Sequence, residues 1–267
     1  METPGQASGV SGANPSALFE RWAPHAPADR RRPVRPTAPT AVLTGEEAGW
    51  QVLAYLQHEG VGAPPTFWAT RVFEIVVAGS LLLLTMPVML IIAAIVRFDS
   101  PGPVVFRQIR VGRNGRLFRF AKFRTLYADA RERWPELYAY RYTAEEVAAL
   151  HFKLKNDPRV TRVGRWLRKS TLDELPNLWN VITGEVALVG PRPEIPEMLP
   201  YYDVAGLTKF SVRPGLTGLA QVRGRGELSF LATVGYDVEY VRTRGFWFDM
   251  GILTRTFFCT ILRKGAF

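Results

Sequence analysis

Between Val72 and Val96 the chain runs for 25 residues with a single charged side chain, Glu74. No other stretch limits the fold so strongly. As a straight helix it would reach about 37 Å at ~1.5 Å per residue, enough to cross a hydrocarbon core of ~30 Å. Its apolar side chains run all round rather than along one stripe, which favours lipid over the alternative of a buried core helix. Phe67 and Trp68 precede it, and Arg71 and Arg97 flank it. Pro87 lies inside. A proline removes one helical hydrogen bond and clashes with the preceding turn at a cost of ~3 kcal/mol. Two outcomes follow: a kinked helix that spans, or one that enters, bends near Pro87 and leaves by the same face. Thr85 or Ser80 can satisfy a carbonyl freed by the proline. Residues 107–124 carry seven basic groups and no acid. That charge bias assigns the C-terminal side to the cytoplasm.

The rest of the chain divides around this segment. Residues 1–65 sum to −1 and the remainder to +11, so the basic excess belongs to the folded part and calls for an anionic partner: nucleic acid, lipid head group or phosphorylated substrate. Residues 1–40 are rich in Pro, Ala, Gly and Ser and are expected to be disordered. Residues 44–58 predict a short helix, with Thr44 as its cap. The single cysteine, Cys259, allows no internal disulfide, and the three histidines show no zinc-ligand spacing. Val104 to Arg124 reads as a β-hairpin turning at Gly112-Arg113-Asn114-Gly115. Its cations recur every third residue, a spacing that divides them between the two faces of a hairpin. Residues 126–155 read as helical and polar, broken at Pro135. Val160 to Lys169 predicts a short basic helix with Val163, Trp166 and Leu167 beneath it.

The acid pair Asp173-Glu174 follows that basic segment directly. Leu175, Leu178, Trp179 and Ile182 fall at helical spacing, so a helix is expected to bury that stripe and to begin near Asp173. Pro176 is tolerable in its first turn. The simplest account makes Asp173 an N-cap and Glu174 a complement to the helix dipole. The chemical account starts from the same residues. A carboxylate can attack phosphorus and split one displacement into two. A neighbouring carboxylate can hold Mg²⁺, which prefers oxygen ligands. Downstream, Gly190-Pro191-Arg192-Pro193 fixes the backbone on both sides of one guanidinium, suited to bidentate phosphate contacts. Arg213 to Gly218 forms a further Gly/Pro turn beside a cation, continued by Gln221, Arg223 and Arg225. Gly245 to Leu262 joins many aromatics to Arg255, Arg263 and Lys264. It fits a helix lying in a membrane interface or ordinary core packing equally well.

Taken together, these residues resemble the bacterial sugar transferase family, the monotopic phosphoglycosyl transferases. The resemblance covers about residues 67–267. It rests on ordered blocks: Gly102 to Gln108, Arg110 to Gly115, Lys122 to Thr125, Asp157 to Gly164, Leu167 to Pro176, Leu188 to Pro193 and Arg213 to Val222. It implies a mixed α/β, mostly helical fold in which residues 1–65 form a tail and 66–98 a re-entrant membrane helix broken at Pro87. Residues 99–267 would then form a small cytosolic catalytic domain with a β-hairpin and interfacial amphipathic helices. The implied reaction moves a sugar 1-phosphate from a UDP-sugar to undecaprenyl phosphate and releases UMP, at the cytoplasmic face of the bacterial inner membrane. In it Asp173 attacks the sugar-proximal phosphate and Glu174 ligates or orients Mg²⁺. Lys122, Arg124 and Arg168 stabilise phosphate or orient the acids, and Arg192, held by Pro191 and Pro193, contacts the nucleotide.

The chain corresponds to a short form of the family, and Leu126 stands where Met is common. Membrane lipids are expected partners, nucleic acid is not, and a homo-oligomer stays open. The sugar and the glycan it begins have no motif here. A membrane-anchored nucleic-acid binder would use the basic hairpin but gives no reason for an acid pair beside it. A catalytically silent scaffold gives no reason for both acids and Arg192.

Overall fold

The computed structural model describes Val52, Leu56 and residues 68–151, 156–224 and 227–261. The expected tail over residues 1–65 therefore lies outside the described residues, save that Val52 and Leu56 are helical and Leu56 is buried. Arg225, Leu262, Arg263 and Lys264 lie outside them too.

The apolar segment forms one helix, α1, Trp68–Asp99, seven residues longer than the 25-residue apolar run. Helical assignment continues through Pro87. Thr85 does bond a carbonyl, Leu81 O at 2.7 Å, whereas the acceptor that Pro87 deprives of its N–H donor is that of Leu83. Burial along α1 is confined to its two ends: Glu74 and Ala78 at one, Ile92 and Val96 at the other. Between them Leu83 and Leu84 are 70% and 76% exposed and Leu90 67%, so mid-helix apolar surface faces outward. An exposed apolar patch of this size marks a lipid or protein partner.

Both ends of α1 are bonded to the same body. Near its start Arg71 donates to the carbonyls of Val181 and Ile182, each at 2.6 Å, and Glu74 accepts from Arg213 at 2.7 Å. The sole acid of the apolar run is thus neutralised in place. At the other end the buried Arg124 donates to the carbonyls of Ser100 and Pro101 at 2.5 and 2.7 Å, and to Val96 O at 3.2 Å. These are helix-terminal carbonyls that need a donor.

The hairpin forms as expected. Strand β1, Val105–Val111, pairs antiparallel with β2, Leu117–Phe123, through a turn in which Asn114 takes a left-handed backbone. The register places Arg110 opposite Phe118, Gln108 opposite Phe120 and Phe106 opposite Lys122 on one face. Phe118 and Phe120 are buried there, while Arg107 and Arg119 sit on the opposite, exposed face. Residues 126–151, the described part of the stretch 126–155, are less helical than expected, with short turns at Ala130–Arg133, Pro135–Tyr138 and Ala144–Ala148. Pro135 opens the second of these rather than breaking a helix.

Helix α2, Arg162–Ser170, is capped by Thr161, whose side chain accepts from Gly164 N. Leu167 is buried beneath it, but Trp166 is 51% exposed, contrary to the expected pattern. A Cβ at Gly164 would collide with the Thr125 carbonyl, so the glycine lets α2 rest on the residue after the hairpin. The next helix, α3, Asn177–Thr183, begins later than expected. Its buried face is Asn177, Leu178, Asn180 and Val181, and Trp179 is exposed. The periodicity identified the helix but rotated its face, because Asn180 is drawn inward to bond Ala121 N and Arg119 O of β2.

Strands β3, Ala187–Val189, and β4, Gly215–Thr217, pair in parallel. Helices α4, Leu219–Gly224, α5, Phe230–Thr243, and α6, Phe246–Ile261, complete the body. One core cluster joins Ala78 of α1 to Phe118, Phe120, Val181, Leu188, Tyr240 and Ile252. A second gathers Val111, Met198, Leu199, Tyr202, Phe210 and Phe230. The third, Ile92, Val96, Phe123 and Leu167, sits where the end of α1 meets the hairpin and α2. On α6, Ile252 is buried in the core while Trp247, Phe257 and Phe258 remain exposed.

Candidate active site

Helix α2 ends at Thr171, whose φ of 61° is left-handed. For a β-branched residue that conformation is costly, and such strain clusters at functional sites. It turns the chain into a 3₁₀ turn, Leu172–Glu174, ahead of α3. Asp173 therefore does not cap α3: it lies inside a separate turn that has no side-chain cap bond. Leu172 and Leu175 pack on the third core cluster beside Phe123 and Leu167. Those two apolar anchors fix the turn between them, and Asp173 and Glu174 are left facing the cations.

Four cations from four elements act on the pair. Arg110 comes from β1, Lys122 from β2, Arg168 from the last turn of α2, and Arg192 from the loop after β3. Arg192 donates to Glu174 Oε1 at 2.5 Å. Its loop is clamped on both sides: Pro191 O accepts Gly215 N at 2.8 Å and Pro193 O accepts Arg110 Nη1 at 2.9 Å. The prolines leave two carbonyls for these clamps while Arg192 projects between them. A Cβ at Gly190 or Gly215 would strike the facing backbone, so both glycines permit the strand pair to close. Arg168 donates through Nε to Thr125 Oγ1 at 3.1 Å and lies 3.7 Å from Asp157 Oδ2. Asp157 is itself held by Arg159 at 2.9 Å.

The two acids are tuned apart. Burial, reinforced by the charge of Glu174, pushes the Asp173 carboxyl up to about 6 against the opposing pull of Lys122, Arg192 and Arg168. Burial acts on Glu174 in the same direction, but Arg192, Lys122 and Arg110 overcome it and hold that carboxyl below its ordinary value. Burial brings Lys122 down to about 8, helped by Arg110 and resisted by Asp173. A pair of adjacent carboxylates with separated titrations is the arrangement expected where one acid reacts and the other stays charged.

Of the residues marked from sequence, Asp173, Glu174, Lys122, Arg168 and Arg192 converge, with Pro191 and Pro193 in support. Arg124 does not join them, because its two terminal nitrogens are engaged by the end of α1. Arg110, Thr125 and Asp157 were not marked. The hairpin register contained the signal for Arg110, since a turn at 112–115 places residues 110 and 122 on one face. Among the described residues no group of three or more His, Cys, Asp and Glu is arranged to hold a metal. The acid pair nevertheless fits Mg²⁺, which takes one or two protein carboxylates and fills its remaining positions with water and substrate phosphate.

The family model described as bacterial sugar transferase matches residues 66–263. The exopolysaccharide production protein ExoY of Rhizobium meliloti is 39% identical over 79% of this chain and 93% of that protein. The UDP-galactose-lipid carrier transferase of Erwinia amylovora is 41% identical over 74% of this chain, and the match spans 41% of its length. The undecaprenyl-phosphate galactose phosphotransferase of Salmonella typhimurium is 40% identical over 74% of this chain and 41% of its own length.

Proposed function

The chain belongs to the bacterial sugar transferase family, and from that premise we propose that it transfers a sugar 1-phosphate from a UDP-sugar to undecaprenyl phosphate, releasing UMP, as the first step of an exopolysaccharide or related glycan. The observation that carries this reading is the asymmetric acid pair. Asp173 is buried with a raised pKa amid cations, while its neighbour Glu174 is pinned by Arg192.

In the first displacement an Asp173 oxygen attacks the sugar-proximal phosphorus. The bond to the UMP oxygen breaks, UMP leaves with that electron pair, and the sugar phosphate remains on Asp173 as an acyl phosphate. In the second, an oxygen of undecaprenyl phosphate attacks the same phosphorus and frees the Asp173 carboxylate. Lys122 and Arg168 offset the charge that gathers on the equatorial oxygens, the main source of catalysis in phosphoryl transfer. Glu174 would hold Mg²⁺, which when bound neutralises diphosphate charge. Arg192 faces the nucleotide side of the donor.

The membrane arrangement belongs to the same proposal. The apolar middle of α1 dips into the cytoplasmic leaflet, bends at Pro87 and returns, so that both ends stay in the cytoplasm. What supports this is that Arg71 and Glu74 at one end, and Val96 and Ser100 at the other, bond to one and the same body. A straight helix of 32 residues, about 48 Å long at ~1.5 Å per residue, would place its ends on opposite sides of a bilayer if it spanned. The site would then meet the acceptor's phosphate at the membrane surface.

The test is UMP release by the full chain in nanodiscs, with Mg²⁺, undecaprenyl phosphate and a panel of UDP-sugars. One or more sugars should yield UMP, and an acid-stable phosphosugar adduct should map to Asp173. Silence across the whole panel would remove the reading. Cysteines placed before residue 67 should resist impermeant reagents in intact cells, and labelling from outside would mean that α1 spans.

A further inference from the structure

Beneath the loop that carries Arg192 runs a buried polar chain that the transfer chemistry does not use. Asp237 on α5, Lys209, Tyr202 and Glu194 come from separate stretches of sequence, and all four are buried. Lys209 Nζ lies 2.8 Å from Asp237 Oδ2 and donates to the Tyr202 hydroxyl at 3.1 Å. That hydroxyl donates to Glu194 Oε2 at 2.8 Å, and Glu194 Oε1 accepts Ile195 N at 3.0 Å. Burial together with the charges of Glu194 and Asp237 keeps the Tyr202 hydroxyl protonated, so it remains a donor. Buried charge is a poor source of stability, because desolvation offsets the attraction of the pair.

The far end of the chain shows what it holds. Glu194 is two residues from Arg192, its carbonyl accepts Val111 N at 2.8 Å, and the adjacent Arg110 donates to Pro193 O. Arg192 disfavours the charge of Arg110, and both act on Glu174. Among acids, Glu194 does most to offset the burial of Arg110. Two like charges stay close only where an opposite charge is held near both.

We propose that Glu194 is a positioning residue for the transfer reaction: fixed by Tyr202, Lys209 and Asp237, it keeps Arg110 and Arg192 side by side toward the acid pair, where they receive the donor's diphosphate. The role assigned to the two arginines rests on the donor reading above. The positioning itself is a property of the loop and is measurable without turnover.

Glu194→Gln keeps the shape and removes the charge, and Tyr202→Phe removes the hydroxyl while keeping the ring on Phe210 and Phe230. In nanodiscs, Glu194→Gln should raise the KM for the UDP-sugar roughly tenfold with kcat within about threefold, the pattern of lost binding rather than lost chemistry. Tyr202→Phe should move KM the same way by less, and the double variant should be no worse than Glu194→Gln alone, because both act through one chain. Hydrogen exchange should quicken across residues 190–195 and stay unchanged in α3. A KM within twofold of the parent together with unchanged loop exchange overturns the proposal. So does a fall in melting temperature with faster exchange throughout the body, which would make Glu194 a folding residue only. If the parent protein turns over no UDP-sugar, the donor reading has failed, and the loop exchange alone decides whether Glu194 positions it.

Discussion

Two regions of this molecule bury a glutamate against arginine, and they do opposite things with it. On α1, Glu74 is shared by Arg71 and Arg213, and Arg71 spends its remaining reach on the carbonyls of α3. One acid meets enough cation and the local donors find acceptors, so the cluster is a fastening. At the turn after α2, Glu174 is also paired with an arginine, but a second carboxylate stands beside it and further cations converge without saturating it. Burial raises Asp173, and no partner brings it back to an ordinary acid. A satisfied buried ion pair holds structure in place, whereas a crowded pair of like charges stores the reactivity that chemistry draws on.

The sharpest way to break this contrast is Asp173→Asn. On the proposed mechanism UMP release should fall at least ~10³-fold, because an amide is no substitute for an attacking carboxylate. The same change should stabilise the fold above pH 6. Asp173 binds its proton more tightly folded, at about 6, than at its ordinary 3.8. Its contribution to stability is therefore greatest below about pH 4 and is lost as pH rises through 6. The shift corresponds to roughly 3 kcal/mol, and an asparagine that cannot ionise is spared that loss. Thermal melts at pH 5 and pH 8 without added divalent ion will show whether the gain, about half developed at pH 5, is larger at the higher pH.

Arg192→Ala comes next. It frees Glu174 and removes a charge from the donor site, for a loss in kcat/KM of roughly 10²-fold. Smaller still are the pH limbs. Activity should fall about tenfold per unit below pH 6, as Asp173 protonates, and again above pH 8, as Lys122 loses its charge. Lys122→Arg should carry the upper limb toward higher pH, because a guanidinium stays charged. Least visible in turnover is Glu74→Gln. Leaving Arg213 without its acid should lower stability by roughly 3 kcal/mol, read as a lower melting temperature in nanodiscs, while kcat per folded molecule stays within about threefold. If Glu74→Gln instead silenced a stably folded protein, the contrast between fastening and reactive acids would fail.

The hairpin was legible because its pattern is local: a Gly-Arg-Asn-Gly turn between two apolar runs fixes the register, and the register fixes the faces. The acid pair was legible as two carboxylates beside cations but not in its geometry. Placing Asp173 at a helix cap followed from the α3 periodicity alone. The left-handed Thr171 and the 3₁₀ turn that separate it from α3 depend on Leu172 and Leu175 finding Leu167 nearby and Phe123 some fifty residues upstream. Arg124 misled for a similar reason. It shares a sequence block with Lys122, and strand alternation alone would put the two on one face, but β2 ends at Phe123, and the carbonyls at the end of α1 that engage Arg124 are not visible from its own segment.

Sequence by itself determined the things that depend on near neighbours: an apolar run long enough for a membrane, a basic hairpin, and two adjacent carboxylates beside cations. Hydrophobic length, strand alternation and turn chemistry act over a few residues, so the chain states them directly. Only tertiary structure decided which cations serve the acids, that both ends of α1 fasten to one body, and that Glu194 lies under the Arg192 loop. Charge acts through space and burial, and both are set by which distant segments pack together.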